Sequence, residues 1–323
     1  MRLFVTEFIT GGGFANHPLP EGLKQEGLLM LNSVLADCLR IHDVQLSTSL
    51  DSRITINTKH LSIFSINNST RYMQQLSRMA HNCDYAWVIA PESSGVLESI
   101  VSRFVEENIP VINCDANTIR ITGDKIECTS RLLSAGICAP INFSLSDAQQ
   151  YKQKVVIKNR FGVGCEGLKI CDSGVHGLEN INDFNHWVVQ PYIDGEQLSL
   201  SLLCNAGKAI ILTCNKQIFY GVDEPKLKAC LVNAVSIDKA MEALANNIAK
   251  TFPGLSGYVG VDIIKTSDDY VVIDINPRLT SSYAGLNDVL MSNPAELCID
   301  SVLDQKLPDN IVRNSKVIEV SFE

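Results

Sequence analysis

Residues 257–278 read GYVGVDIIKTSDDYVVIDINPR. Two runs rich in Val and Ile flank the polar tetrapeptide Thr266-Ser267-Asp268-Asp269, which is the pattern of a β-hairpin. With the turn centred on Asp268, Asp262 lies opposite Asp274 to within one or two residues of register. Asn276, two positions beyond Asp274, projects from the same face. Three oxygen-bearing side chains thus gather on strands otherwise built from apolar residues. Burying carboxylates without partners is costly. Hard oxygen donors on rigid strands are what Mg²⁺ takes, with phosphates and water completing its shell. Exposed ion pairs with Lys265 or Arg278 account for the same aspartates. The apolar run VVIDINPR around Asp274 and Asn276 weighs toward a metal site.

Upstream of the hairpin, a helix is expected over about 238–252. Before it come strands at 188–192, 198–204 and 209–214. The segment 188–201, VVQPYIDGEQLSLS, ends an apolar strand near Gln190, turns at Asp194-Gly195 and restarts at Glu196. Such a crossover can offer backbone groups to an adenine edge and a carboxylate to ribose hydroxyls; an ordinary strand connection with an exposed glutamate reads equally well. The segment 155–167, VVIKNRFGVGCEG, carries Lys158 to a strand end and then spaces Gly162, Gly164 and Gly167 along a loop. Glycines let backbone N–H groups approach phosphate oxygens, and a lysine balances their charge. The spacing is neither a Walker A motif nor a GxGxxG fingerprint, and glycines of a plain hairpin turn remain the alternative. Lys125 opens a helix expected near 124–135. Cys165 has no histidine near it in sequence, which argues against a nucleophile.

The first third alternates strand and helix: a strand at 3–8, a flexible turn at Gly11-Gly12-Gly13, a helix at 21–39 and a strand near 44–46. A helix at 70–82, a strand at 85–90, a helix burying Val96, Leu97, Ile100, Val101, Phe104 and Val105, and a short strand at 110–113 follow. This alternation implies an open parallel sheet. Ligands of such sheets bind beyond the carboxyl ends of the strands. Thr10, Gly11, Gly12 and Glu92 stand at such ends: the glycine turn is expected to approach a substrate and Glu92 to meet the ammonium of an amine, while a plain tight turn and a capped helix start account for them equally well.

The chain has 323 residues, 46% hydrophobic and 20% charged, with a formal net charge of −9. That suits two or three packed subdomains and argues against nucleic acid as a partner. No apolar run reaches the roughly 18–20 residues that span a bilayer. The eleven cysteines contain no CxxC pair and lie mostly in apolar stretches (Cys38, Cys114, Cys138, Cys171, Cys204, Cys214), so buried reduced thiols and a cytoplasmic setting are expected.

Taken in order, Lys125, the Lys158 glycine loop, the Gln190–Glu196 linker and the Asp262–Asp274–Asn276 cluster resemble the ATP-grasp superfamily. The resemblance covers roughly residues 115–290, and its most specific stretch is DIIKTSDDYVVIDINPR. Asp274 stands where a glutamate is common, and Gln190 where the linker often begins with glutamate. Within the superfamily, TEFITGGG, APESSGVLE and NPRLTSSYAGL look like the tyramine–glutamate ligases of methanofuran biosynthesis. The resemblance implies an α/β chain: an N-terminal parallel-sheet domain (1–114), a central subdomain with the phosphate loop (115–192) and a C-terminal subdomain with the metal site (193–323). It implies ATP bound by Lys125, Lys158, Gly162, Gly164, Gln190, Tyr192 and Glu196. Asp262, Asp274 and Asn276 would hold Mg²⁺ or Mn²⁺, and Arg278 would be the catalytic cation. Ser281, with Ser282 and Tyr283, would line the acyl pocket. The implied reaction joins a small carboxylate, L-glutamate, to an amine, tyramine, through an acylphosphate, with no nucleic acid or membrane partner and a homodimer as the assembly allowed for. A dipeptide ligase of the same fold and a nucleotide-binding module without catalysis are the competing readings.

Overall fold

The computed structural model describes residues 1–165, 167–174, 178 and 184–322. The N-terminal alternation folds into a parallel sheet ordered β3-β2-β1-β4, from β1 (Arg2–Glu7), β2 (Gln45–Asp51), β3 (Leu61–Ile66) and β4 (Tyr85–Ile89). Helix α1 (Glu21–Cys38) covers one face, packing Leu31, Val34 and Leu35 with Leu3 and Val5. Helices α2 (Tyr72–Ala80) and α3 (Val96–Glu106) cover the other, where Leu76, Leu97 and Phe104 meet Phe4 and Val88.

Several elements differ from the sequence reading. Strand β2 runs on to Asp51 because its buried positions Ser47, Thr48 and Ser49 are small and hydroxylated, which hides the apolar signal. The edge strand β3 leaves most of its side chains exposed, so it carries little periodicity. Val105 is 58% exposed on the outer side of α3 rather than buried. The segment 110–113 makes a single parallel bridge, Val111 to Ala86, rather than a strand. All eleven cysteines are free thiols, but Cys138 is exposed and Cys171 only half-buried.

Helices α4 (Ala116–Gly123), α5 (Lys125–Ser134) and α6 (Leu145–Gln150) lead into a three-stranded antiparallel sheet ordered β6-β5-β7. Its strands are β5 (Val155–Asn159), β6 (Lys169–Cys171) and β7 (Trp187–Pro191). Val155, Ile157 and Val189 pack with Ala148 of α6. The alternation of a strand therefore turns Val156, Lys158 and Gln190 to the opposite face.

The rest of the chain forms a six-stranded antiparallel sheet ordered β12-β11-β8-β9-β10-β13. Its strands are β8 (Glu196–Asn205), β9 (Lys208–Tyr220), β10 (Lys226–Val235), β11 (Gly257–Lys265), β12 (Tyr270–Asn276) and β13 (Ile318–Ser321). One face, with Leu198, Leu200, Val259, Val261 and Ile263, packs on Met241, Ala245 and Ile248 of α7 (Lys239–Thr251). Part of the other face packs on α8 (Pro294–Leu303) through Leu203, Tyr258 and Cys298. The remainder, including Ser199, Gly260 and Asp262, is left open. Among the described residues no helix is long and apolar enough to cross a membrane.

In the hairpin, Asp262 does pair with Asp274 and Gly260 with Asn276. Nearer the turn, Lys265 pairs with Tyr270 and Ile263 with Val272, a register one residue different. A β-bulge at Ile273 absorbs the difference and turns both Ile273 and Asp274 toward the open face. Bulges of this kind re-aim a side chain, and here the aimed side chain is a carboxylate.

Candidate functional site

The open face of the six-stranded sheet and the Lys158 face of the three-stranded sheet bound a cleft of about 540 Å³. Asp262 and Asp274 stand side by side in its wall. Asn276 Nδ2 donates to Asp262 Oδ2 (3.2 Å), and Gln217 Nε2 donates to Asp262 Oδ1 (2.9 Å). Burial and the facing Asp274 carboxylate push Asp262 up to about 6.

Lys125 is the first residue of α5, and that position is fixed by its neighbour. Asp124 caps the helix by accepting from the Ile126 N–H (3.0 Å), and its carboxylate takes both Arg160 Nε (2.8 Å) and Nη2 (2.6 Å). The loop after β5 is thereby tied to the start of α5. Lys125 Nζ then donates to the Gly162 carbonyl (2.7 Å) and lies 3.3 Å from Asp274 Oδ2. Lys158, buried in β5, donates to the Ile273 carbonyl (3.4 Å), and burial brings its ammonium down to about 8. Gly162, Gly164, Gln190 and Tyr192 also line the cleft, and Gln190 donates to Asn142 Oδ1 (2.8 Å).

The donor set suits a hard divalent cation. Two carboxylates and the Asn276 amide stand together, and burial with the facing Asp274 charge raises the Asp262 carboxyl. Among the described residues no group of three or more His, Cys, Asp or Glu gathers to hold an ion; Mg²⁺ commonly takes one or two carboxylates and completes its shell with phosphates and water. The exposed ion pairs weighed from sequence are not formed. Lys265 points to the other face of β11, and Arg278 is engaged elsewhere.

Arg278 Nε donates to Glu92 Oε2 (3.0 Å) and Nη1 to the Leu279 carbonyl (3.1 Å), with side-chain exposures of 12% for Arg278 and 5% for Glu92. Glu92, expected from sequence to meet an ammonium, is thus paired with Arg278 and lies outside the cleft lining. Thr10, Gly11 and Gly12 also lie outside the cleft lining. Residues 9–13 form a buried helical turn in which the Thr10 N–H and Oγ1 both donate to Glu7 Oε2 (2.7 Å each). Gly12, at φ 103°, abuts Ile66, where an added Cβ would fall 2.6 Å from the Ile66 Cβ. The turn packs inward and its backbone does not reach the cleft. Glu196 lies on the α7 side of β8, paired with Lys216 (2.7 Å), and its neighbour Gln197 faces the cleft instead. Ser281 and Ser282 line the cleft, whereas Tyr283 is packed behind them.

Comparison with known proteins places this frame. The chain matches an ATP-grasp domain over residues 122–282 and the pre ATP-grasp 3 domain over residues 44–119. It is 30% identical over 318 residues to a tyramine–L-glutamate ligase of Methanocaldococcus jannaschii, covering 93% of this chain and 89% of that one. This chain belongs to the ATP-grasp superfamily. Its fold is similar to an ATP-grasp superfamily protein from Archaeoglobus fulgidus (TM-score 0.72, 22% identity, 97% of this chain and 91% of that one). It is also similar to the biotin carboxylase domain of a Hydrogenobacter thermophilus 2-oxoglutarate carboxylase, solved with MgADP (TM-score 0.73, 14% identity, 96% and 70%). The protein is an ATP-grasp ligase, an enzyme of the ADP-forming, amide-forming class.

Gln217 and Glu26 are among the cleft residues of this ATP-grasp ligase that sequence alone does not single out. Gln217 steadies Asp262 from β9, but a lone amide in a long strand carries no local signature. Glu26 enters the cleft from α1, a helix whose pattern shows its apolar side only, and accepts from Ser281 Oγ (2.7 Å).

Proposed function

We propose that this ATP-grasp ligase joins L-glutamate to tyramine, giving γ-glutamyltyramine, ADP and phosphate, an amide of the kind used in methanofuran biosynthesis. The observation that carries the chemistry is the convergence of Asp262, Asp274 and Asn276 with Lys125 and Lys158 in one cleft, and Arg278 in the same lining. The substrate pair rests on the 30% identity to the M. jannaschii enzyme along nearly the whole chain.

In this reading ATP lies with its adenine by Gln190 and Tyr192 and its phosphates by the Gly162–Gly164 loop, Lys125 and Lys158. Asp262, Asp274 and Asn276 would hold Mg²⁺ or Mn²⁺, which supplies charge neutralisation at the phosphate oxygens. A carboxylate oxygen of glutamate attacks the γ-phosphorus and ADP leaves. Phosphoryl transfer needs in-line positioning and charge balance more than a protein nucleophile. Cys165 is accordingly a spectator, its thiol pushed up to about 11 by burial. The amine nitrogen then attacks the acyl carbon, the carbon–oxygen bond to phosphate breaks, and the amine gives up a proton. Arg278, fixed by Glu92, stabilises charge on the transferring phosphoryl group or on the tetrahedral oxygen.

The test is ADP release by the purified protein with Mg²⁺ and ATP, run against a matrix of carboxylates and amines. Release is expected only when glutamate and tyramine are both present. Release with a different pair keeps the ligase and discards the substrates.

A further inference from the structure

We propose that Glu26 is the residue that binds a substrate's primary ammonium in this cleft and selects for it; the inference rests on the ligase reading above and names its charge-recognition element.

Helix α1 brings Glu26 to the cleft because Gly27 allows the helix to press on the end of β1. A Cβ at Gly27 would fall 2.5 Å from Glu7 Oε2 and 3.1 Å from Thr10 Cγ2. With that side closed by contact, the adjoining Glu26 is held at the cleft, half-buried, with Oε1 accepting from Ser281 Oγ at 2.7 Å.

The charged side chains in the cleft lining are Lys125, Lys158, Arg278, Asp262, Asp274 and Glu26. The three cations match the anionic parts of the reactants: the phosphates and the reacting carboxylate. The two aspartates are committed to one another's neighbourhood through Gln217, Asn276 and Lys125. Glu26 is thus the one lining carboxylate, among the described residues, outside the aspartate cluster. Its Oε2 has no hydrogen-bond partner among the described residues, and its partner Ser281 lies three residues beyond Arg278 in the same lining. An alkylammonium has an ordinary pKa near 10, so an aliphatic amine arrives charged at neutral pH. A partly desolvated ammonium needs an anion, and a neutral isostere does not.

The reaction offers two ammonium groups: that of the amine acceptor and the α-ammonium of the amino-acid donor. The chemistry is the same, and the experiment separates them. Glu26→Gln keeps the shape and the acceptor oxygen for Ser281 while removing the charge. In the presence of Mg²⁺ and a non-hydrolysable ATP analogue, calorimetry measures tyramine against tyrosol, whose hydroxyl replaces the ammonium, and glutamate against glutarate, which lacks it. The expected result is that Glu26→Gln weakens the ammonium-bearing member of one pair by about 10- to 100-fold and leaves its neutral analogue unchanged. An effect confined to the tyramine pair assigns Glu26 to the acceptor, and one confined to the glutamate pair assigns it to the donor. Unchanged preference for charge in both pairs, or equal weakening of charged and neutral members, overturns the role of Glu26. Wild-type protein that binds neither tyramine nor glutamate overturns the substrate reading itself and the inference with it.

Discussion

Asp274→Ala is expected to lower Mg²⁺-dependent ATP turnover by about 10³-fold or more, the scale on which a preorganised charge-stabilising element acts, while the protein still folds. The residue lies in the cleft wall with its side chain 23% exposed, so its removal creates no core cavity. Lys125 loses an ion-pair partner but keeps the Gly162 carbonyl. The stability of the metal-free protein carries a second signature. The Asp262 carboxyl is raised from its ordinary 3.8 to about 6 by burial and by Asp274. A group whose pKa is raised on folding contributes its full stability at low pH and loses it as pH rises through the folded value. The apoprotein should therefore weaken between about pH 4 and 6.5, and Asp274→Ala should flatten that slope by removing the facing charge. Thermal melts across this range, beside ADP-release assays, check both halves. Near-normal turnover in the variant would sink the metal assignment.

The second large effect is at Arg278. Arg278→Ala should lower kcat by about 10²- to 10³-fold and also destabilise the fold, because it strands Glu92. That carboxylate is almost fully buried, and its second oxygen, Oε1, has no hydrogen-bond partner among the described residues. Removing one member of a buried ion pair costs about 3–5 kcal/mol, most of it from the charge left behind. The double variant Arg278→Ala/Glu92→Gln should recover much of the stability and none of the turnover. Recovery of both in the double variant would mean that Arg278 serves the fold alone.

These two predictions fall where the sequence was most legible. A hairpin with a polar turn between Val- and Ile-rich strands is a local pattern, and facing residues follow from strand geometry. The placement of Asp262 opposite Asp274 nevertheless needed the bulge at Ile273, which no residue in VVIDINPR announces. Lys125 and Lys158 were readable because each stands at an element end beside a loop. Glu196 was not, since whether it or Gln197 faces the cleft depends on where β8 enters its sheet. The Ile9–Gly13 turn was misread because three glycines signal freedom, whereas here they permit close packing against Ile66 and Ser49. The contacts of Glu92 and Glu26 were equally hidden. Glu92 is joined to Arg278 and Glu26 to Ser281 across 186 and 255 residues of chain, and tertiary partners at such separations leave no trace in local pattern.

A cleft that activates a carboxylate by moving a phosphoryl group onto it leaves a carboxylate oxygen in the phosphate it releases. The most direct measurement uses L-glutamate with heavy oxygen in its carboxyl groups, tyramine, ATP and Mg²⁺, with mass analysis of the phosphate released. One heavy oxygen is expected in phosphate for each amide formed. Unlabelled phosphate accompanying amide formation would contradict it.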